Sequence, residues 1–151
     1  MKKIFIGLIL ILSNCSENKN QKIEEEFYQT FGKEKSEIID EIVNYGSSLL
    51  MQAYNSDTKE QAYKAFVSDL QKTRPDSLEL NFTKNQTDSF LNLFEKEKIK
   101  YDIFKFREEN GIEKYIFDTD GKFMSVLNKV KETDKLAYDY YVSYNDTGQL
   151  P

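Results

Sequence analysis

The chain has 151 residues, with 21 Lys and Arg against 26 Asp and Glu, a formal net charge of −5 and no histidine. An acidic chain lacks the basic face that displaces counterions from phosphate, which excludes nucleic acid as a partner, and the missing imidazole removes Ser-His-Asp and Cys-His catalysis. A single cysteine forms no intrachain disulfide, and without histidine the usual zinc and copper ligand sets cannot be assembled, so neither a metal nor a cofactor is expected.

Met1-Lys2-Lys3 precedes an apolar run from Ile4 to Leu12, followed by Ser13, Asn14 and Cys15. Two cations, a short apolar stretch and a small-residue exit have the layout of a secretory signal. The run is shorter than the roughly 20 residues a membrane-spanning helix needs. Leu12-Ser13-Asn14-Cys15 resembles the lipobox of bacterial lipoproteins, with Asn14 standing where Gly, Ala or Ser is usual. The resemblance implies that the Cys15 thiol receives a diacylglycerol, that the chain is cut just before it, and that the acylated cysteine holds the protein to a membrane. Two or three acyl chains anchor stably where one does not. Ser16 in place of an inner-membrane retention Asp implies the outer membrane of a bacterial envelope. The expected organisation is a signal peptide over 1–14, a lipidated cysteine and polar tether over 15–22, and a single domain over 23–151. Losing Lys2 and Lys3 leaves 19 basic against 26 acidic residues, a formal charge of −7.

From Ile23 the apolar residues step at helical spacing: Ile23, Phe27 and Phe31, then Ile38, Ile39, Ile42, Val43, Leu49, Leu50 and Ala53. Gly32 and Gly46 are candidate breaks. Asn55-Ser56-Asp57 ends this run, and Asp57 with Glu60 forms a capping box for a helix carrying Ala62, Tyr63, Phe66, Val67 and Leu70. Residues 75–86 read as loop. Thr87 or Asp88 then caps a helix through Phe90, Leu91, Leu93 and Phe94. Over Ile99 to Phe117 the pattern admits both a short buried helix and a hairpin turning at Asn110-Gly111. Thr119 or Asp120 caps a helix with Phe123, Met124, Val126, Leu127 and Val130. A last amphipathic helix holds Leu136, Ala137, Tyr140, Tyr141 and Tyr144, and ends at Asn145-Asp146-Thr147-Gly148. The fold class is mainly α, a small helical bundle with room for one short β-hairpin around 99–117. Asp120-Gly121-Lys122-Phe123 opening one helix and Thr147-Gly148 closing the next resemble small helical lipoproteins of flavobacteria, a family that implies a bacterial group and lends no activity.

Carboxylate pairs are the remaining route to acid–base chemistry, with Glu24-Glu25-Glu26, Glu108-Glu109 and Asp118/Asp120 as the candidates. Acidic runs on helices are solvated faces in the ordinary case. Asp118-Thr119-Asp120-Gly121 has the middle of a calcium loop, but placing Gly121 at loop position six puts Ile116 and Leu127 where oxygen ligands are required. Two arginines, Arg74 and Arg107, give little scope for bidentate phosphate clamping. Tyr140, Tyr141 and Tyr144 share a helical face and are the candidate protein interface, against a reading in which they close the core. The expected function is a non-catalytic, lipid-anchored envelope protein that binds a protein partner through its helical surface. The alternative is a binding module for a small apolar or glycan ligand in an aromatic-lined pocket.

Overall fold

A computed structural model describes residues 17–72, 80–109 and 111–147. The signal segment, Cys15, Asn110 and Gly148 therefore lie outside the described residues. The described chain is mainly helical with one hairpin. In order it holds α1 (Glu17–Phe31), α2 (Lys33–Ala53), α3 (Lys59–Lys72), α4 (Lys84–Glu95), a 3-10 turn (Lys96–Lys98), α5 (Lys100–Ile103), β1 (Phe104–Glu109), β2 (Ile112–Phe117), α6 (Lys122–Val130) and α7 (Lys135–Thr147).

α1 forms around Ile23, Phe27 and Phe31, spaced four apart and all buried, with Phe27 stacked on Phe31 at 5.6 Å between ring centroids and tilted against Phe123 of α6 at 6.0 Å. The helix starts at Glu17, so most of the segment expected to be a tether has a helical backbone. A helix nucleated by a packed stripe propagates cheaply into flanking Glu, Lys and Gln, which are good helix formers. α1 ends at Gly32, whose φ of +80° is open to glycine at no steric cost, and α2 starts at the next residue. Gly46, the other candidate break, is instead buried inside an unbroken α2.

The principal core joins α1 and α2 (Ile38, Ile39, Ile42) to Phe94 of α4, Ile99, Ile103 of α5, Phe104 of β1, the apolar face of α6, and Ala137 and Tyr140 of α7. A smaller cluster of Leu50, Ala62, Tyr63 and Phe66 closes α2 on α3, and Phe90 packs against both clusters. Where α2 meets α3 the small Ser47 receives Tyr63: the two hydroxyls are 2.7 Å apart, and Ser47 Oγ also donates to the Val43 carbonyl at 2.6 Å. Burial pushes the Tyr63 hydroxyl up to about 12, partly opposed by the Ser47 bond, so this buried pair stays neutral.

Helix starts fall at other residues than the apolar periodicity indicates. α3 is capped by Thr58, whose Oγ1 accepts from the Gln61 amide at 3.3 Å, while Glu60 pairs with Lys64 at 2.6 Å rather than reaching back to Asp57. α4 begins three residues before the expected cap. Its capping box is Thr83 with Gln86, the Gln86 amide donating to Thr83 Oγ1 at 3.2 Å and the Thr83 amide to Gln86 Oε1 at 2.8 Å. α6 has Gly121 at its N-cap with no side-chain cap, so neither Thr119 nor Asp120 caps it. α7 is capped by the buried Asp134, which accepts from the Ala137 amide at 2.8 Å, and the helix runs through Asn145 to Thr147.

Over 99–117 both expected structures occur in succession. Ile99 and Ile103, fully buried and four apart, bracket the single turn of α5, and the chain then enters an antiparallel hairpin. Phe104 pairs with Phe117, Lys105 with Ile116, Phe106 with Tyr115 and Glu109 with Ile112 across a two-residue turn. Gly111 has φ +73°, a left-handed conformation that glycine adopts at no steric cost.

Ser36 is buried at the start of α2, and its Oγ has no hydrogen-bond partner among the described residues. A buried hydroxyl without a partner forfeits its hydration and regains nothing. Ser36→Ala is therefore expected to raise stability by up to about 1 kcal/mol in urea unfolding. A loss of similar size would show that the hydroxyl is bonded in solution.

Candidate functional site

The described residues that present large apolar side chains to solvent are Tyr28 of α1, Tyr101 of α5, Phe106 of β1, Ile116 of β2 and Tyr138 of α7. Three of the five lie on α5 and the hairpin. Tyr101 is 55% exposed, Phe106 46% and Ile116 42%. This segment is the candidate interaction site, and its mounting explains how so short a structure holds its shape.

α5 is one turn long, too short to be stable alone. Two fully buried isoleucines fasten its inner side, and Asp102 fastens its outer side. Lys35 of α2 donates to Asp102 Oδ2, and the Lys122 ammonium of α6 lies 3.0 Å from Oδ1. One carboxylate, 16% exposed, thus joins three helices distant in sequence. The Lys122 ammonium also sits 5.7 Å from the centroid of the Phe31 ring, within cation–π range. Burial opposes ionisation of Asp102, but the hydrogen bonds from Lys35 and Lys122 outweigh it and hold the carboxyl below its ordinary value.

A second knot fastens the hairpin base. Lys105 of β1 reaches Asp118 and Asp120, each at 2.8 Å, and the Asp118 side chain accepts from the Asp120 amide at 3.0 Å. Those hydrogen bonds, Asp118 first, raise the Lys105 ammonium above its ordinary value. Gly121 closes the turn, donating its amide to the Asp118 carbonyl at 3.0 Å. A Cβ at this glycine would come within 2.9 Å of Asp118 Cβ. The Asp118/Asp120 pair considered for acid–base or calcium chemistry is therefore occupied by a lysine.

The remaining carboxylate candidates lie on α1 and near the hairpin tip. Glu24 and Glu25 are exposed, and Glu26 lies 2.9 Å from the Lys129 ammonium of α6. Glu108 faces Glu113 across the hairpin near its tip. Among the described residues no group of three or more His, Cys, Asp or Glu could hold a metal ion. No helix among the described residues is long and apolar enough to cross a membrane.

The tyrosines expected to form an interface divide. Tyr140 is 4% exposed and belongs to the core, so it presents no surface to a partner. Tyr141 is half-buried, packed against that core with the Lys131 ammonium 4.1 Å above its ring. The Tyr144 side chain and Cys15 lie outside what the structure describes. Tyr140 turns inward because it shares with Ala137 the face of α7 that packs on α6, whereas Tyr138 of the same helix is exposed. Sequence reasoning missed Tyr101 and Phe106 as surface residues, because apolar residues in an alternating or helical pattern read equally well as core.

Asp102 carries a pH signature. Its carboxyl titrates lower in the folded chain than its ordinary 3.8, so its stabilisation is complete above about that value and is lost as pH falls through the folded value. Asp40 acts in the opposite sense: partial burial, then Glu24 and Glu37, raise it, so its charge weakens the fold at neutral pH and protonation relieves this. The wild-type chain is expected to melt higher than Asp102→Asn at pH 6, by an amount corresponding to about 2 kcal/mol. The gap should close as pH falls well below 3.8. A gap that stays constant down to pH 2 would contradict the ion-pair reading.

Searched against family models, curated proteins and solved structures, the chain matches none of them.

Proposed function

We propose that this chain is a non-catalytic protein held to a bacterial envelope membrane, the outer one, by a lipid on Cys15, and that it works by binding a protein partner. The partner surface is assigned to Tyr101 and Phe106 on the α5–hairpin segment rather than to the α7 tyrosines. The observation that carries this reading is the exposure of two large aromatic rings, five residues apart in sequence, on an element fastened to the body by two charged knots. Aromatic side chains are the usual anchors of protein interfaces, and a pre-ordered surface loses less entropy on binding. Support for the anchor comes from the first fifteen residues: two lysines, a short apolar run and a cysteine in lipobox context.

In-cell crosslinking, followed by co-purification of the tagged full chain and mass spectrometry, tests the partner surface. A stoichiometric protein should be recovered with the wild type and fall by about tenfold or more with Tyr101→Ser/Phe106→Ser, whose circular dichroism should stay native. Equal recovery from the two chains would overturn the assignment. For the anchor, Cys15→Ala is expected to leave an uncut precursor or to move the protein into the soluble fraction. A processed chain still fractionating with membranes would contradict lipidation.

A further inference from the structure

The hairpin has two edges, and they differ in what a second strand would meet. The Asp118 amide donates to the Ile103 carbonyl at 3.0 Å, in step with the Phe104–Phe117 register. Hydrogen-bonded and non-hydrogen-bonded pairs alternate along an antiparallel ladder. Ile112, Lys114, Ile116 and Asp118 therefore turn their backbone groups toward β1, and Glu113, Tyr115 and Phe117 turn theirs outward. Among the described residues the sheet has two strands, and the one substantial neighbour of β2 is β1. A row of outward amides and carbonyls is a template for another strand unless its side chains forbid it.

The sequence along this edge is Lys114-Tyr115-Ile116-Phe117-Asp118: basic, aromatic, aliphatic, aromatic, acidic. Reversed, the pattern is its own complement. A two-fold axis through Ile116, normal to the sheet, sets Ile116 opposite Ile116 of a second copy. It also sets Tyr115 opposite Phe117 and Lys114 opposite Asp118, each of these twice. Aromatic pairs and opposite charges directly across a sheet are stabilising, and like charges are not. The ladder parity agrees. Tyr115 and Phe117, with outward backbone groups, form hydrogen-bonded pairs, and Ile116 falls at a non-hydrogen-bonded pair, where opposite side chains come closest. Ile116, on the axis, is 42% exposed. Asp118 is already held by Lys105 at 2.8 Å, so its position is set before a second copy arrives.

Neighbouring registers lack this match. An axis at Tyr115 sets Lys114 opposite Ile116, and an axis at Lys114 sets lysine against lysine. On the β1 edge an axis at Phe106 places Lys105 opposite Arg107, and one at Arg107 places two guanidinium groups together although it also sets Lys105 opposite Glu109. The β2 edge about Ile116 brings together no like charges.

We propose that β2 is a dimerisation edge, through which two copies of this chain pair antiparallel over Lys114–Asp118 into a four-stranded sheet with its two-fold axis at Ile116. The contact is isologous and closes on itself. A five-residue strand contact is small, so confinement of both copies to one membrane raises their effective concentration. The pairing geometry does not depend on the anchor.

The test is disulfide trapping of the full chain in its native membranes under mild oxidation. Wild type, with Cys15 as its sole cysteine, sets the background. Ile116→Cys is expected to give a covalent dimer of twice the chain mass, and Arg107→Cys on the opposite edge is not. Adding Lys114→Glu to Ile116→Cys sets two acid–acid pairs across the axis and should lower the dimer yield by about tenfold. Absence of the dimer in folded Ile116→Cys, equal trapping with Arg107→Cys, or indifference to Lys114→Glu would each overturn the proposal. Trapping of Ile116→Cys to a different protein would overturn it as well, by giving the edge another occupant.

Discussion

One carboxylate sets the shape of the exposed half of this molecule. Asp102 lies on a helix of a single turn, and it takes one ammonium from the start of α2 and another from the start of α6. A turn of that length has no stability of its own, and the two left-handed residues just before it, Glu97 and Lys98, oppose its conformation. The direction in which the chain leaves the core toward the hairpin is therefore decided by tertiary contacts. Ile99 and Ile103 fix the depth of α5, and Asp102 fixes its rotation. Lys105 with Asp118 and Asp120 then repeats the device one step outward, at the hairpin base.

This arrangement separates the molecule into a body that supplies stability and a projection that supplies surface. The body has no disulfide to rely on, and its strength lies in aromatic and aliphatic packing: Phe27 on Phe31 and Phe123, and a run of rings from Tyr45 through Phe90 and Phe94 to Phe104. That run reaches the first residue of β1, so the core continues into the hairpin root. Further along the hairpin, Phe106 and Ile116 are partly exposed, at 46% and 42%.

The helical body was legible in the sequence because its apolar residues keep helical spacing. Ile23, Phe27 and Phe31, then Ile38, Ile39 and Ile42, mark buried faces directly, and the buried face of α6 reads the same way. Helix starts were less legible. The first apolar residue of α4, Phe90, stands in its second turn, so periodicity places the start too late, whereas the Thr83–Gln86 box marks it. Asp120 resembles a cap in sequence but is drawn to Lys105, and Asp134, an unremarked acid, is the cap of α7. The α7 tyrosines illustrate a different limit: a shared face identifies residues that act together, not whether that face meets core or solvent. Lys35 and Asp102 are 67 residues apart, and no local pattern announces their meeting.

The central claim is that the hairpin is an ordered projection held by Asp102, and amide hydrogen exchange tests it most directly. Wild type should protect the β1 and β2 ladder amides well above random coil, and Asp102→Ala should release protection in α5 and the hairpin while α1, α2 and α3 keep theirs. Hairpin amides that exchange at coil rates in the wild type, or a variant that loses protection evenly throughout the chain, would contradict the account.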